Sequence, residues 1–210
     1  MMSNKKIKQR TVKFYLKEIE NIHPFKSFIY LFFFISSLIL GFVIFSLELK
    51  WSSLQSEVKA IQFPEIFILG ALLLFSTLLF TSRQSQFYKE EKLNQLKSSY
   101  YLQLFTSTLF IVIQMVAVYQ FRINSEEKIP EVLISYFIVL ISFHLAHMIL
   151  AIVIMIILMF RLINVLEDPV KTLVYLTNPF EKLLLEIKQL FWNYQVIVWV
   201  LIFLYLELRF

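Results

Sequence analysis

The chain contains no cysteine and only two glycines, Gly41 and Gly70. Without cysteine it forms no disulfide and no thiolate metal site, and it has no thiol nucleophile. With two glycines it has no glycine-rich loop of the kind that surrounds a bound phosphate. It also lacks the glycine-interrupted helices that are usual in transporters. These absences leave few catalytic mechanisms open to this chain acting alone.

Apolar residues are abundant. The chain is 59% hydrophobic and contains 23 phenylalanines in 210 residues, whereas about 45–50% apolar is usual for a soluble domain. Segments of about 20 apolar residues cross a bilayer as helices. The sequence therefore predicts an all-α, polytopic membrane helix bundle with five transmembrane helices. Their predicted bounds are Phe28–Leu47, Phe63–Thr81, Tyr100–Phe121, Val132–Phe160 and Leu190–Leu208.

The fifth predicted span is the weakest, because Asn193, Gln195 and Glu207 interrupt its apolar run. We interpret Trp192 and Tyr194 at its start as an aromatic belt at the membrane interface. Before it lies the longest connection, residues 162–189. There the sequence NPFEKLLLEIKQL predicts a helix capped by Asn178, which lies at the interface and runs into the fifth span.

The charged residues are predicted to lie mainly outside the spans. Fifteen of the 20 lysines and arginines fall in the N-terminal segment and in the two connections predicted on the same side. The positive-inside rule therefore predicts a cytoplasmic N-terminus and an external C-terminus. We divide the chain into a charged cytoplasmic segment, residues 1–26, and a five-helix membrane domain, residues 27–210. The net charge of +5 is explained by these flanks, so nucleic-acid binding is not expected.

Two histidines, His144 and His147, lie near the middle of the fourth predicted span. They cannot be the two axial ligands of one haem, because such ligands approach the iron from opposite faces of the ring. A haem or metal site would need a partner at the same depth, and the remaining histidine, His23, is expected at the cytoplasmic edge. A proton-transfer or transport site is a second possibility, but the predicted spans lack Asp, Lys and Arg in their interiors. We favour a structural role, in which neutral histidines hydrogen-bond to other helices or to lipid headgroups.

Four stretches carry polar and aromatic residues in a recurring order. They are FPEIFILGALLLFSTLLFTSRQ with Ser76 and Thr77, LFTSTLFIVIQMV with Gln114, SFHLAHMILAIVIMIILMFRL with Phe143, His144, His147 and Arg161, and LEIKQLFWNYQVIVWVLIFLYL with Glu186, Trp192 and Trp199. Taken together over residues 26–208, these stretches resemble subunit III of the haem–copper cytochrome c oxidases in its short five-span form.

The sequence departs from that family at four positions. Ser36 and Ala117 stand where the family has glutamate, Asn193 stands where it has histidine, and Val196 stands where it has aspartate. The chain therefore resembles a diverged subunit III, in which the carboxylates associated with proton uptake or lipid anchoring are absent while the two histidines of the fourth span remain.

The resemblance implies a non-catalytic accessory subunit of a bacterial terminal oxidase in the cytoplasmic membrane. Such a subunit has no catalytic residue, metal or redox cofactor of its own, packs against subunit I with the other respiratory subunits, and binds phospholipid. Haem and copper are expected in the partner subunits. The residues expected to pack helices or touch lipid are His144, His147, Glu186, Trp192 and Trp199. The alternatives are a stand-alone membrane transporter and an assembly or scaffold protein.

Overall fold

The computed structural model describes residues 23–54, 65–125 and 128–209, and these residues form six helices and no strand. The N-terminal segment predicted for residues 1–26 lies almost entirely outside the described residues, so its structure stays a prediction. The helices are α1 Pro24–Leu54, α2 Ile66–Lys89, α3 Leu93–Ser125, α4 Glu131–Leu166, α5 Pro169–Thr177 and α6 Pro179–Arg209.

Five of the six helices are long and apolar enough to cross a membrane, and these are α1, α2, α3, α4 and α6. The predicted all-α bundle with five transmembrane helices is therefore confirmed, and the chain is a multi-pass membrane protein. Each of these helices extends past at least one end of its predicted span, and α4 reaches 36 residues. Charged and polar residues at the ends of apolar runs thus continue the helices rather than ending them.

Helix α6 corrects the interpretation of the last connection. It runs without a break from Pro179 to Arg209, so the expected interfacial segment and the fifth span are one helix. Asn178 caps this helix as predicted, since the Phe180 backbone N–H donates to its Oδ1 at 2.9 Å. Glu181 and Lys188 are buried in the bundle, and the position of this segment at the membrane interface stays a prediction.

The short helix α5 was not predicted, although its start carries a clear signal. Asp168 accepts a hydrogen bond from the Val170 backbone N–H at 2.8 Å, and Pro169 occupies the first helical position. Asp followed by Pro is a typical helix start. Tyr175 of this helix is buried, whereas Val170 is exposed.

The chain divides into two compact units, residues 1–39 and 40–210, with the division inside α1. In the first unit, the described part of α1 is rich in phenylalanine, and Phe28 and Phe34 are exposed. Ser36 is buried there.

The second unit contains the helical core, in which α2 packs on α3, α3 on α4, and α6 on both α2 and α4. A tight turn joins α2 to α3, and Glu91 within it has a φ of 59°. Aromatic rings fill the centre: Phe121 stacks on Phe137 with ring centroids 3.9 Å apart, and Phe67 contacts Trp199 at 6.3 Å. At one end of the bundle, Arg209 of α6 forms an ion pair with Glu48 of α1.

Candidate functional site

Two groups of buried polar residues interrupt the aromatic core, and both lie between the same packed helices. We call the first the lysine layer; it consists of Thr77, Thr81, Gln84, Ser99, Gln103, Lys188 and Trp192. We call the second the histidine layer; it consists of Gln114, His144, Gln195 and Trp199. Polar side chains between membrane helices usually hold those helices together or mark a functional site.

Lys188 is the centre of the lysine layer and is only 2% exposed. Its ammonium donates to Oε1 of Gln84 and, at 2.5 Å, to Oε1 of Gln103. The same ammonium lies 5.2 Å from the ring centre of Tyr100 and 5.9 Å from that of Trp192. Amide oxygens accept hydrogen bonds from the lysine nitrogen and aromatic faces pack beside it, so α2, α3 and α6 meet around one lysine side chain.

The glutamines around Lys188 are also bonded to each other. Nε2 of Gln84 donates to Oε1 of Gln103 at 2.8 Å and to Oγ of Ser99 at 3.1 Å. Nε2 of Gln103 donates to Oγ1 of Thr81 at 2.9 Å. These bonds join α2 and α3 side by side, and Lys188 adds α6 to the pair.

Trp192 extends the lysine layer one turn further along α6. Its indole Nε1 donates to Oγ1 of Thr77 at 2.7 Å, and that hydroxyl donates to the Leu74 carbonyl at 2.5 Å. Trp192 is 1% exposed, so the prediction that it forms an aromatic belt at the membrane interface is wrong. The indole N–H has found its partner in α2 rather than in the headgroup region.

The lysine layer places a lysine inside the helical bundle, where the sequence had not predicted one. Lys188 was expected in the connection before Leu190, yet it lies about 14 Å along α6 from Pro179 by helix geometry. Among the described residues no carboxylate lies within ion-pair distance of its ammonium. Glu181, Lys188 and Gln195 recur every seven residues and are all buried. That spacing is the sequence signal that could have revealed the polar face of α6.

The histidine layer lies further along the same helices. The His144 ring is fully buried, 5.1 Å from the Trp199 ring and 6.1 Å from that of Phe110. Gln114, one turn from Phe110, packs against Gly70 so closely that a Cβ there would lie 2.1 Å from its Nε2. Four helices, α2, α3, α4 and α6, therefore contribute to this layer.

Polar atoms of the histidine layer have no hydrogen-bond partner within the described part of the chain. They are both ring nitrogens of His144, the amide groups of Gln114 and Gln195, and Nε1 of Trp199. A buried donor or acceptor without a partner is unfavourable. The layer therefore presents several donors and acceptors in a small apolar space, whereas those of the lysine layer are bonded.

The two histidines of α4 have different surroundings. His144 faces the core, whereas His147 is half-buried and its Nδ1 lies 2.7 Å from the Phe143 carbonyl oxygen, one turn back on its own helix. No group of three histidine, cysteine, aspartate or glutamate side chains among the described residues is placed to hold a metal ion. Of the two histidines, His144 is therefore the one that packs against another predicted site residue, Trp199.

The remaining predicted positions are placed as follows. Trp199 is buried against His144, while Glu186 is half-buried on α6. Ala117 and Val196 are buried and Asn193 is half-buried.

A third polar group lies where α4 ends and α6 begins. Arg161 forms an ion pair with the buried carboxylate of Glu181, and Oη of Tyr88 donates to the Tyr175 carbonyl oxygen at 3.0 Å. Burial, with smaller contributions from the Glu181 and Tyr88 side chains, raises the pKa of Tyr175 above its ordinary value. The phenol therefore stays protonated and uncharged at physiological pH.

A search of protein-family models finds none that matches this chain, and a search of curated proteins finds no relative.

Proposed function

We propose that this chain is a non-catalytic accessory subunit of a bacterial cytochrome c oxidase. In this proposal it lies in the cytoplasmic membrane with its N-terminus inside, packs against subunit I and carries no haem or copper of its own. It supports the assembled enzyme, with bound phospholipid, while the partner subunits transfer electrons to oxygen.

One observation carries the proposal. Several of the residues on which the resemblance rests come from stretches far apart in the sequence, yet they are buried in the same core. His144 of α4 packs on Trp199 of α6, and Trp192 of α6 bonds to Thr77 of α2. A chance likeness in composition gives no reason for these positions to meet. Their convergence favours a common architecture.

The exposed surface also supports a subunit role. Large apolar side chains, among them Phe42, Phe105 and Phe160, are exposed on three different helices. In a membrane these side chains face lipid or another protein, and either is compatible with packing against subunit I.

The test is to recover the tagged full-length chain from its native membranes in a mild detergent. We expect absorbance of haem a and two larger subunits to migrate with it, and a similarly tagged unrelated multi-pass protein to carry neither. Recovery of a colourless chain without those subunits would contradict the proposal. The chain expressed alone should be colourless. Haem bound to it, and lost on His144→Phe, would instead show ligation by that histidine.

A stand-alone transporter is the second candidate, and one observation favours it. Lys188 is a buried ionisable residue in a membrane-spanning helix without a carboxylate partner among the described residues, and such residues commonly mark ion or substrate pathways. Ion or solute flux into vesicles containing only this chain, abolished by Lys188→Met, would support this candidate over the oxidase subunit.

A further inference from the structure

A groove of about 350 Å³ lies on the surface of the bundle, between the end of α2 and the start of α3. One wall is formed by Phe80, Arg83 and Phe87 of α2, and the other includes Asn94 and Gln95 in the first turn of α3. Residues three and four apart share one face of a helix, so the α2 wall is a continuous stripe with an arginine between two phenylalanines. We call this site the Arg83 groove.

The floor of the Arg83 groove is fixed by the lysine layer. Ser99, which lines the groove, is buried, and its Oγ accepts a hydrogen bond from Nε2 of Gln84 at 3.1 Å. The same hydroxyl donates to the Phe80 carbonyl oxygen at 3.3 Å. These bonds join the two walls directly beneath the groove. The groove is therefore held open by the packing of α2 on α3, as is usual for a preformed binding site.

Arg83 supplies the positive charge of the groove. Its side chain is exposed and makes no ion pair or hydrogen bond with another residue in the described ranges. Glu90, two turns further along the chain, pairs with Lys92 at 2.7 Å instead. The guanidinium is a planar fork of N–H donors that matches the two oxygens of a carboxylate. Arg83 is therefore suited to bind an acidic group from outside the chain.

The other lining residues favour a protein carboxylate over a lipid phosphate. Anionic lipid headgroups are recognised by clusters of lysine and arginine, whereas Arg83 is the one charged residue that lines this groove within the described part of the chain. The exposed amides of Asn94 and Gln95 offer both donors and acceptors, which a polypeptide can satisfy. Arginine and aromatic residues together are typical of protein interfaces.

We propose that the Arg83 groove binds an aspartate or glutamate side chain of a different membrane protein. The carboxylate accepts two hydrogen bonds from Arg83, and the residues next to it contact Asn94, Gln95 and Phe87. The acidic residue lies at the end of a partner helix, level with the turn that joins α2 to α3. The inference goes beyond the proposed function, because it assigns the contact surface and its chemistry whichever protein supplies the carboxylate.

The test is photocrosslinking of the full-length chain in its native membranes. The photoreactive residue p-benzoylphenylalanine replaces Leu102, which lines the groove and is 50% exposed. After illumination, the crosslinked peptide is sequenced by mass spectrometry. We expect one partner protein whose crosslinked segment contains an aspartate or glutamate within about one helical turn. The same photoreactive residue in place of Ile157, exposed on α4, monitors a surface outside the groove.

Three charge variants are compared at the Leu102 crosslinking site. Arg83→Glu should lower the crosslink yield at least about tenfold, because a like charge replaces the ion pair. Arg83→Lys keeps the charge without the planar fork, so the yield should fall by a smaller factor. Lys89→Glu is the matched control, because Lys89 is exposed on α2 and does not line the groove. It should leave the yield unchanged, and none of the three should alter the Ile157 crosslinks.

A charge exchange completes the test. Replacing the identified acidic residue of the partner by arginine should restore the crosslink to the Arg83→Glu chain. The proposal would be overturned by a crosslink to lipid alone or to a second copy of this chain, by a partner segment without an acidic residue, by the absence of any protein crosslink, or by an unchanged yield with Arg83→Glu. A partner without haem a would contradict the oxidase proposal and leave the groove assignment intact. Recovery of haem a without an Arg83-dependent crosslink would do the reverse.

Discussion

The lysine layer and the histidine layer are neighbours in one core, yet their hydrogen bonding is opposite. In the lysine layer Lys188, Gln84 and Gln103 donate to and accept from one another across three helices. In the histidine layer His144 and Gln114 have no hydrogen-bond partner among the described residues. Both layers are excluded from the surface to the same degree.

The difference separates side chains that stabilise the bundle from side chains that do not. Interhelical hydrogen bonds contribute to helix association in lipid, so the lysine layer holds α2, α3 and α6 together. A buried polar group without a partner lowers stability. The stability of the isolated chain therefore does not explain why residue 144 is a histidine. We look for the explanation in the contacts of the histidine layer within the proposed complex.

Removing the centre of the lysine layer should have the largest effect. Lys188→Ala leaves Oε1 of Gln84 without the lysine donor and opens a cavity where the side chain packed. We expect the free energy of unfolding in detergent to fall by about 3–5 kcal/mol. Lys182→Ala, on the exposed side of the same helix, should change it by less than about 0.5 kcal/mol.

The isosteric variant Lys188→Met sharpens this comparison. It fills the space but donates no hydrogen bond, so we expect an intermediate loss of about 1–2 kcal/mol. A variant more stable than the original chain would contradict a stabilising role for the lysine. It would assign the residue to function instead, and would favour the transporter candidate.

A methyl group added to the histidine layer should have the next largest effect. In Gly70→Ala the new Cβ would lie 2.1 Å from Nε2 of Gln114, so this buried amide must move within a packed core. We expect the variant to be less stable by about 2 kcal/mol, measured by thermal unfolding in detergent.

Gly41→Ala is the matched control, because a Cβ at that position meets nothing within 4 Å. It should be neutral or more stable by up to about 1 kcal/mol, the gain of helix propensity. Equal effects of the two substitutions would show that Gln114 adapts freely, and that the close packing at Gly70 is unimportant.

Much of the fold could be predicted from the sequence, because a membrane span can be recognised as a continuous run of about 20 apolar residues. Five apolar runs became five helices, and the Asn178 cap was visible from the Asn-Pro pair. The lysine layer was missed because a lysine normally marks the end of an apolar run. Lys188 was therefore assigned to a connection.

The contacts of the candidate site could not be predicted in the same way. Gln84 and Gln103 meet because of the register of α2 against α3, and no local pattern sets that register. The register depends on how the two helices pack along their whole length. The ordered resemblance did select Thr77, His144, Trp192 and Trp199, since it combined positions far apart in the chain.

A single interhelical hydrogen bond should have a smaller effect. Thr77→Val keeps the shape of the side chain but removes the oxygen that accepts from Trp192 Nε1 at 2.7 Å. We expect a loss of about 1 kcal/mol in the free energy of unfolding. Thr108→Val removes only a bond to the Leu104 carbonyl of its own helix on an exposed face and should be close to neutral. Equal losses would indicate that the Trp192 bond contributes nothing.

The smallest effect on stability is expected at His144. Phenylalanine keeps the ring contacts with Trp199 and Phe110 and removes two nitrogens that have no hydrogen-bond partner among the described residues. The free energy of unfolding should therefore change by less than about 1 kcal/mol, toward greater stability.

His147→Phe, on the same helix, removes the nitrogen that lies 2.7 Å from the Phe143 carbonyl oxygen, and is the matched control. If the histidine layer serves the proposed oxidase, His144→Phe should lower the amount of haem a that migrates with the tagged chain, while His147→Phe leaves it nearly unchanged. The substitution His144→Phe would then lower the recovery of haem a without lowering the stability of the isolated chain. Full recovery of haem a with His144→Phe would instead limit this histidine to packing, because neither stability nor assembly would need its nitrogens.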